Sequence, residues 1–120
     1  MELRKLEKYK IQFKNFTGTI DSLQSYLNNL DQDGKEVPII TPYIISKKLK
    51  IPETDAFFIL SLAEKEHILH KKYQVWTNDQ NFLGDFEDTQ SIPSVITDNE
   101  TGRQVDRDHY YVDIVFQLEK

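Results

Sequence analysis

The chain has no cysteine. Disulfides, thiolate metal sites and cysteine nucleophiles are therefore excluded. Its 120 residues include only four glycines, too few for a phosphate-cradling loop, and no G-x-S-x-G or H-E-x-x-H pattern occurs. No apolar run approaches the roughly 18 residues needed to span a bilayer, and the N-terminus lacks an apolar signal-peptide core. The expectation is a soluble, cytoplasmic protein with no membrane partner.

Aromatic side chains are plentiful: seven Phe, six Tyr and one Trp. They supply enough apolar surface for one domain, or one domain with a small extension, to fold without staples. The net charge of -5 hides an asymmetry. Residues 1–50 carry nine Lys/Arg against six Asp/Glu (+3), and residues 51–120 carry six against fourteen (-8). Phosphate contacts dominate nucleic-acid affinity, so any DNA-binding face must come from the first half.

Residues 3–16 fit two patterns. Leu3, Leu6, Tyr9, Phe13 and Phe16 make a helical stripe, whereas Tyr9, Ile11 and Phe13 alternate as in a strand. Helix is the preferred reading, with the cations at 4, 5, 8, 10 and 14 on a solvated face. Thr19 is an expected N-cap before Ile20, Leu23, Tyr26, Leu27 and Leu30. Asn28 to Gly34 then reads as an acidic turn. Asn29, Asp31, Asp33 and Gly34 match the start of a calcium loop, but its twelfth position is Ile40 rather than glutamate. Val37 to Ile40 is short and β-prone, and Pro38 confines it to an edge.

The chain is organised around residues 45–76. Thr41-Pro42 opens a short helix as N-cap and first helical residue. Lys47, Lys48 and Lys50 gather near its end, and Ile51-Pro52 breaks it. A longer apolar-periodic run follows (Ala56, Phe57, Ile59, Leu60, Ala63, Ile68), with Thr54 as its expected N-cap. Then Tyr73 to Trp76 reads as a strand. Helix, tight turn, helix and strand resemble a winged helix-turn-helix of the small bacterial type.

The second helix has an expected outward face of Asp55, Phe58, Ser61, Leu62, Lys65 and Glu66. A groove-reading helix normally offers Arg, Lys, Asn or Gln near its start, not acids. Phe58 can belong to this face or to the core, because four consecutive apolar residues (Phe57 to Leu60) cannot all point one way. His67 and His70 have i, i+3 spacing without a third ligand nearby, which favours polar surface residues over a metal site.

The tail from Tyr73 resembles the zinc-ribbon extension of some small bacterial winged-helix proteins. Thr77-Asn78-Asp79-Gln80 and Thr97-Asp98-Asn99-Glu100 stand where its two C-x-x-C knuckles would be. None of Thr77, Gln80, Thr97 or Glu100 is a thiolate or imidazole ligand, so a metal-free remnant is expected. Trp76, Phe82, Phe86 and Ile92 are the expected apolar filling. Asp98 to Gly102 predicts a turn between Val95-Ile96 and Arg103-Gln104-Val105, and Tyr110 to Leu118 alternates as a strong terminal strand.

The expected fold class is α+β: a winged helix-turn-helix, three helices plus wing, with a small C-terminal antiparallel sheet. Its expected parts are a basic segment (1–18), a winged-helix core (19–76) and a ribbon-like extension (77–120) packed on the core. His109 beside Asp106 and Asp108 is the best acid–base candidate, yet no nucleophile or oxyanion donor accompanies it, so no catalytic, cofactor or metal residue is assigned. The expected function is a non-enzymatic interaction module that binds a larger protein through Asp55, Phe58, Lys65, Glu66, Asp85, Glu87 and Asp88. The resemblance implies an accessory subunit or adaptor of a bacterial complex, with phage-defence systems among the settings. The second choice is a DNA-binding regulator using Lys47, Lys48, Lys50, Lys71, Lys72 and the basic N-terminal segment. A homodimer through the terminal strand is the third.

Overall fold

A computed structural model of the chain describes residues 2–33 and 39–119. The architecture is α+β, with helices first and antiparallel strands after them. The chain divides into two compact units, Met1–His70 with Phe116–Lys120, and Lys71–Val115.

The first unit begins with a 3-10 turn (Leu3–Leu6), helix α1 (Glu7–Gln12) and a second 3-10 turn (Lys14–Phe16). The helical stripe prevails over the strand pattern because it buries Leu6 and Tyr9 and leaves Ile11 outside, 75% exposed. A strand would have put Ile11 on the same face as Tyr9 and Phe13. Helix α2 follows at once over Thr17–Asp33 and buries Ile20, Leu23 and Leu27 at helical spacing. Thr19 is therefore inside the helix and caps nothing. The Thr17 hydroxyl donates to the carbonyls of Lys10 and Lys14, each at 3.0 Å, and carries the chain from turn into helix without a capping break.

Because α2 continues through Asp33, residues 28–33 are helix and not the acidic turn expected. Asn29 and Asp31 lie about 200° apart around the helix and cannot converge on one cation. Gly34, Val37 and Pro38 lie outside the described residues. Ile40 is extended and exchanges both main-chain hydrogen bonds with Phe116, each 2.7 Å, as an isolated antiparallel bridge.

Helix α3 (Pro42–Leu49) starts as expected. Thr41 is its N-cap, the hydroxyl accepts from Ile44 N–H at 3.1 Å, and Pro42 is the first helical residue. It ends at Lys50, in the left-handed region with φ 57°, while Ile51 N–H reaches back to Ser46 C=O. Helix α4 (Glu53–Lys65) begins one residue before the expected cap. Pro52 is its N-cap, without a side-chain hydrogen bond, so Thr54 lies inside the first turn. The fixed φ of proline already sets the entry geometry that a capping side chain would otherwise provide.

The far end of α4 closes by the same device as α3. His67 has φ 59°, its N–H meets Glu64 C=O at 3.0 Å, and Ile68 N–H meets Ala63 C=O at 2.9 Å. This is a Schellman closure with histidine where glycine is usual. His67 thus has a backbone role. His67→Gly is expected to raise stability by about 0.5–1 kcal/mol, measured by urea denaturation, because only glycine takes that conformation without a Cβ penalty. An unchanged or lowered midpoint would contradict it. Ala56, Ile59, Leu60, Leu62 and Ala63 bury one side of α4, which packs closely on α3.

Strand β1 (Leu69–Thr77) follows α4 directly. It lies between β2 (Phe82–Phe86) and β5 (Tyr110–Leu118), and β3 (Val95–Thr97) pairs with β4 (Gln104–Asp106) as a separate hairpin. Both the hairpin over 95–106 and the terminal strand lie where the alternation put them. The apolar filling of the second unit differs from expectation. Ile92 and Val105 are buried, Trp76 and Phe86 are half-buried, and Phe82 is 48% exposed. A register shift between Val75 and Trp76 sets Phe82 opposite Trp76, edge-on at 5.2 Å, on the rim of the sheet.

Candidate functional site

The solvent side of α4 carries four of the residues expected to meet a partner, Asp55, Phe58, Lys65 and Glu66. Glu53 and Asp55 occupy its first turn, where carboxylates complement the helix dipole. Phe58 does not stand free. Its ring packs edge-on against Phe13 at 5.0 Å and tilted against Phe16 at 5.1 Å. At the other end Glu66 accepts a 2.5 Å hydrogen bond from the Tyr9 hydroxyl and a 3.0 Å ion pair from Lys8. Those two donors, Tyr9 first, hold the Glu66 carboxyl below its ordinary range. Burial, and then Glu66, pushes the Tyr9 hydroxyl up to about 12, so it remains a donor at neutral pH.

The N-terminal segment therefore covers much of the face expected to meet a partner. Leu62 is buried at 8% exposure, which corrects its place on the outward face. Phe58 and Glu66 are engaged within the chain, while Asp55 is half-buried and Lys65 exposed. Projection of a three-helix core alone could not anticipate an additional helix lying on α4. The signal was the aromatic stripe Tyr9, Phe13 and Phe16, which needed something to cover. Of the two aromatic residues on α4, Phe57 is the more exposed, at 38%, with its ring edge-on to Phe116 at 6.3 Å.

The lysines fall into both units. Lys47 and Lys48 are exposed in the last turn of α3, and Lys47 Nζ lies 5.3 Å from the Tyr43 ring. Lys50 is the left-handed residue that ends that helix. Lys71 and Lys72 belong to the second unit, with Lys71 Nζ 5.8 Å from the Tyr73 ring. Two of the N-terminal cations are neutralised locally: Lys8 by Glu66, and Lys10 by both Glu7 and Asp21.

Of the acidic loop, Asp88 is a capping residue. Its Oδ1 accepts from Ser91 N–H at 2.8 Å and from the Ser91 hydroxyl at 2.9 Å, closing the 3-10 turn Thr89–Ser91. Asp85 and Glu87 are exposed.

The two tetrads at 77 and 97 are brought together by a carboxylate. Thr77 N–H donates to Asn81 C=O, Gln80 N–H to Thr77 C=O, and Asn81 N–H to the Thr77 hydroxyl, making one tight turn. Asp98 organises the other turn: its C=O accepts from Gly102 N–H at 2.7 Å and its Oδ1 from Glu100 N–H at 3.0 Å. Gly102, at φ 72°, supplies the left-handed residue that closes it. Asn81 Nδ2 then donates to Asp98 Oδ2 at 3.2 Å and joins the two turns. Asp98 is only 3% exposed, and the Asn81 and Glu100 donors lower its pKa. Sequence reasoning passed over Asn81 and Asp98 because it followed the outer residues of each tetrad. The i+2 Asx pattern of Asp98 was the available signal.

A cleft of about 330 Å³ opens beside these turns, with Asn81, Asp98, Arg103, Asp106 and His109 among its lining. His109 Nδ1 lies 2.6 Å from Asp106 Oδ1, and Asp106 also accepts from Asp108 N–H at 3.1 Å. The Asp106 hydrogen bond pushes His109 up, and His109 pulls Asp106 down. Both groups are exposed, and among the described residues Asp106 is the imidazole's one polar partner. Also among the described residues, no three of His, Asp and Glu converge as metal ligands would, and no helix is long and apolar enough to cross a membrane. Comparison with protein-family models, with curated proteins and with solved structures finds no match for this chain.

Proposed function

We propose that this chain is a non-enzymatic winged-helix interaction module, an accessory subunit or adaptor that docks on a larger protein. The supporting arrangement is α3, a tight turn, α4 and then the β1–β2 hairpin, the order of a winged helix-turn-helix. The paired turns held by Asn81 and Asp98 fit a ribbon whose metal has been replaced by a hydrogen-bonded carboxylate. A cytoplasmic setting, in a bacterial multi-protein system such as phage defence, goes with this reading.

One observation carries it. The helix that would enter a DNA groove starts with Glu53 and Asp55, and the N-terminal segment covers it through Phe58 and Glu66. Acidic residues repel phosphates, and a covered helix face cannot reach base edges. Surfaces that remain for a partner include Asp55, Phe57 and Lys65 in the first unit and Asp85 in the second.

A DNA-binding regulator is the second reading, favoured by exposed Lys47 and Lys48 beside Lys50. Gel-shift binding to duplex DNA at two salt concentrations separates the readings. The expected result is no shift at physiological salt. A salt-sensitive shift that disappears when Lys47, Lys48 and Lys50 are all changed to Glu would favour the regulator, since each lost phosphate contact reduces the salt slope by about one. Recovery of a stoichiometric partner from native extract, insensitive to that triple substitution, is the positive outcome for the adaptor.

A further inference from the structure

The strongest unassigned surface is the outer edge of β5. In the order β2-β1-β5 this strand has one strand neighbour. Phe116, within β5, exchanges both main-chain hydrogen bonds with Ile40, which sets that residue's main chain away from β1. Successive residues of a strand turn their main-chain groups to alternate sides. Tyr110, Val112 and Ile114 have the same parity as Phe116. They therefore direct N–H and C=O away from β1, and among the described residues those groups have no main-chain partner.

Natural sheet edges are usually blunted by lysine, proline or a bulge. Neither lysine nor proline occurs in Tyr110-Tyr111-Val112-Asp113-Ile114. The side chains on the edge also make a receptacle. Tyr110, Val112 and Ile114 line a groove of about 390 Å³ with Tyr73, Ile92 and Arg107. The Tyr110 hydroxyl donates to Pro93 C=O at 3.0 Å and ties the edge strand to the segment after Ile92. Val112 is 38% exposed.

Charge selects the occupant. Asp113 is exposed on the opposite face of the strand and, among the described residues, has no ion-pair or hydrogen-bond partner. The unit Lys71–Val115 carries four Lys/Arg against nine Asp/Glu, a net -5. An added strand sets alternate side chains into the groove and the intervening ones beside Tyr111 and Asp113. Apolar residues suit the first set and cations the second. A second copy of this chain would bring another Asp113 and another acidic unit to the same edge, so it is the poorer complement.

We propose that the edge of β5 over Tyr110–Ile114 receives an extended, basic peptide segment of a partner protein, alternating apolar and Lys/Arg residues, as a further strand of the sheet. The proposal rests on the interaction-module reading and gives that module a site and a partner chemistry.

The test uses the full chain, labelled with nitrogen-15, and an acetylated Lys-Val-Lys-Val-Lys-Val-Lys peptide. Controls are the same peptide N-methylated at alternate residues and its glutamate counterpart. Slowed amide exchange at Val112 and Ile114 with the basic peptide alone is expected. Asp113→Lys should weaken that binding about tenfold, the effect of turning an opposite-charge cross-strand pair into a like-charge one. Val112→Pro should abolish it, because the lost N–H faces outward and the β1 ladder is left intact. Equal binding of the basic and methylated peptides, or protection elsewhere, overturns the proposal. So does concentration-dependent protection of Val112 and Ile114 in the chain alone, which would mean that a second copy fills the edge. A native partner retained by both variants overturns this site and leaves the adaptor reading standing. Salt-sensitive DNA binding without any native partner overturns the adaptor reading, even where peptide protection still supports the edge.

Discussion

Phe58→Ala is expected to detach the N-terminal helix from α4 and lower stability by about 2–3 kcal/mol, just below the usual loss for a fully packed phenylalanine because the ring is half-buried. The loss has a structural reason. Phe13 and Phe16 both rest on this ring, so truncation takes a partner from two aromatic side chains at once. Urea denaturation gives the magnitude, and amide exchange across residues 7–12 gives the location. Phe57→Ala is the control: its ring is more exposed and meets Phe116 at the longer distance of 6.3 Å, so a smaller loss is expected. Equal losses for the two, or unchanged exchange in α1, would contradict the packing described. Any gain of DNA binding on Phe58→Ala would show that the covering helix masks a groove-reading face.

The second large effect is expected from Asp98. Asp98→Ala removes the acceptor for Asn81 Nδ2 and Glu100 N–H together and leaves both donors without a partner, which is costlier than never having had the bond. The turns at 77–81 and 98–102 should separate, giving fast exchange at Glu100 and Gly102 with α4 still protected. Asp98→Asn keeps an acceptor and should retain most of the protection at neutral pH. The carboxylate also sets a pH dependence. Its folded pKa is depressed, so its contribution is fully present above the ordinary aspartate value of 3.8 and is lost as pH falls through the lower folded value. Exchange at Glu100 should therefore accelerate below about pH 4 in the native chain and show no such step in Asp98→Asn. A step of the same size in both proteins would remove Asp98 from its role.

Much of the fold was legible because the signals were local. Thr41-Pro42 states a helix start within two residues, and the alternation of Tyr110 to Leu118 states a strand regardless of what lies beside it. The turn at Asp98 to Gly102 was likewise written in its own Asx and glycine residues. Helix limits were less legible where two local signals competed. Thr19 suggested a helix start that α2 does not respect, because the Thr17 hydroxyl and the burial of Ile20, Leu23 and Leu27 outweigh the cost of about 1 kcal/mol for Gly18 inside the helix. The acidic residues 28–33 suggested a turn for the same reason, and the helix runs through them.

The candidate sites were legible in composition and not in arrangement. An acidic first turn on α4 and an acidic second half were visible as charges. That Phe58 and Glu66 would be taken up by Phe13, Phe16, Tyr9 and Lys8 was not, since those partners stand 42 to 58 positions away. No periodicity within one helix reports which other helix will lie on it.

By itself, then, the sequence determined the kinds of element and their order, the absence of thiolate chemistry, and the charge asymmetry. These depend on residue type and short spacing, which survive in any conformation. Tertiary structure alone decided which aromatic residues face solvent, that Asn81 and Asp98 join two turns standing where zinc ligands were expected to be missing, and that, among the described residues, β5 has one strand neighbour. Each of those is a pairing across a long stretch of chain. Such pairings are set by competition among all buried surfaces and hydrogen-bonding groups together, and no single stretch encodes the winner.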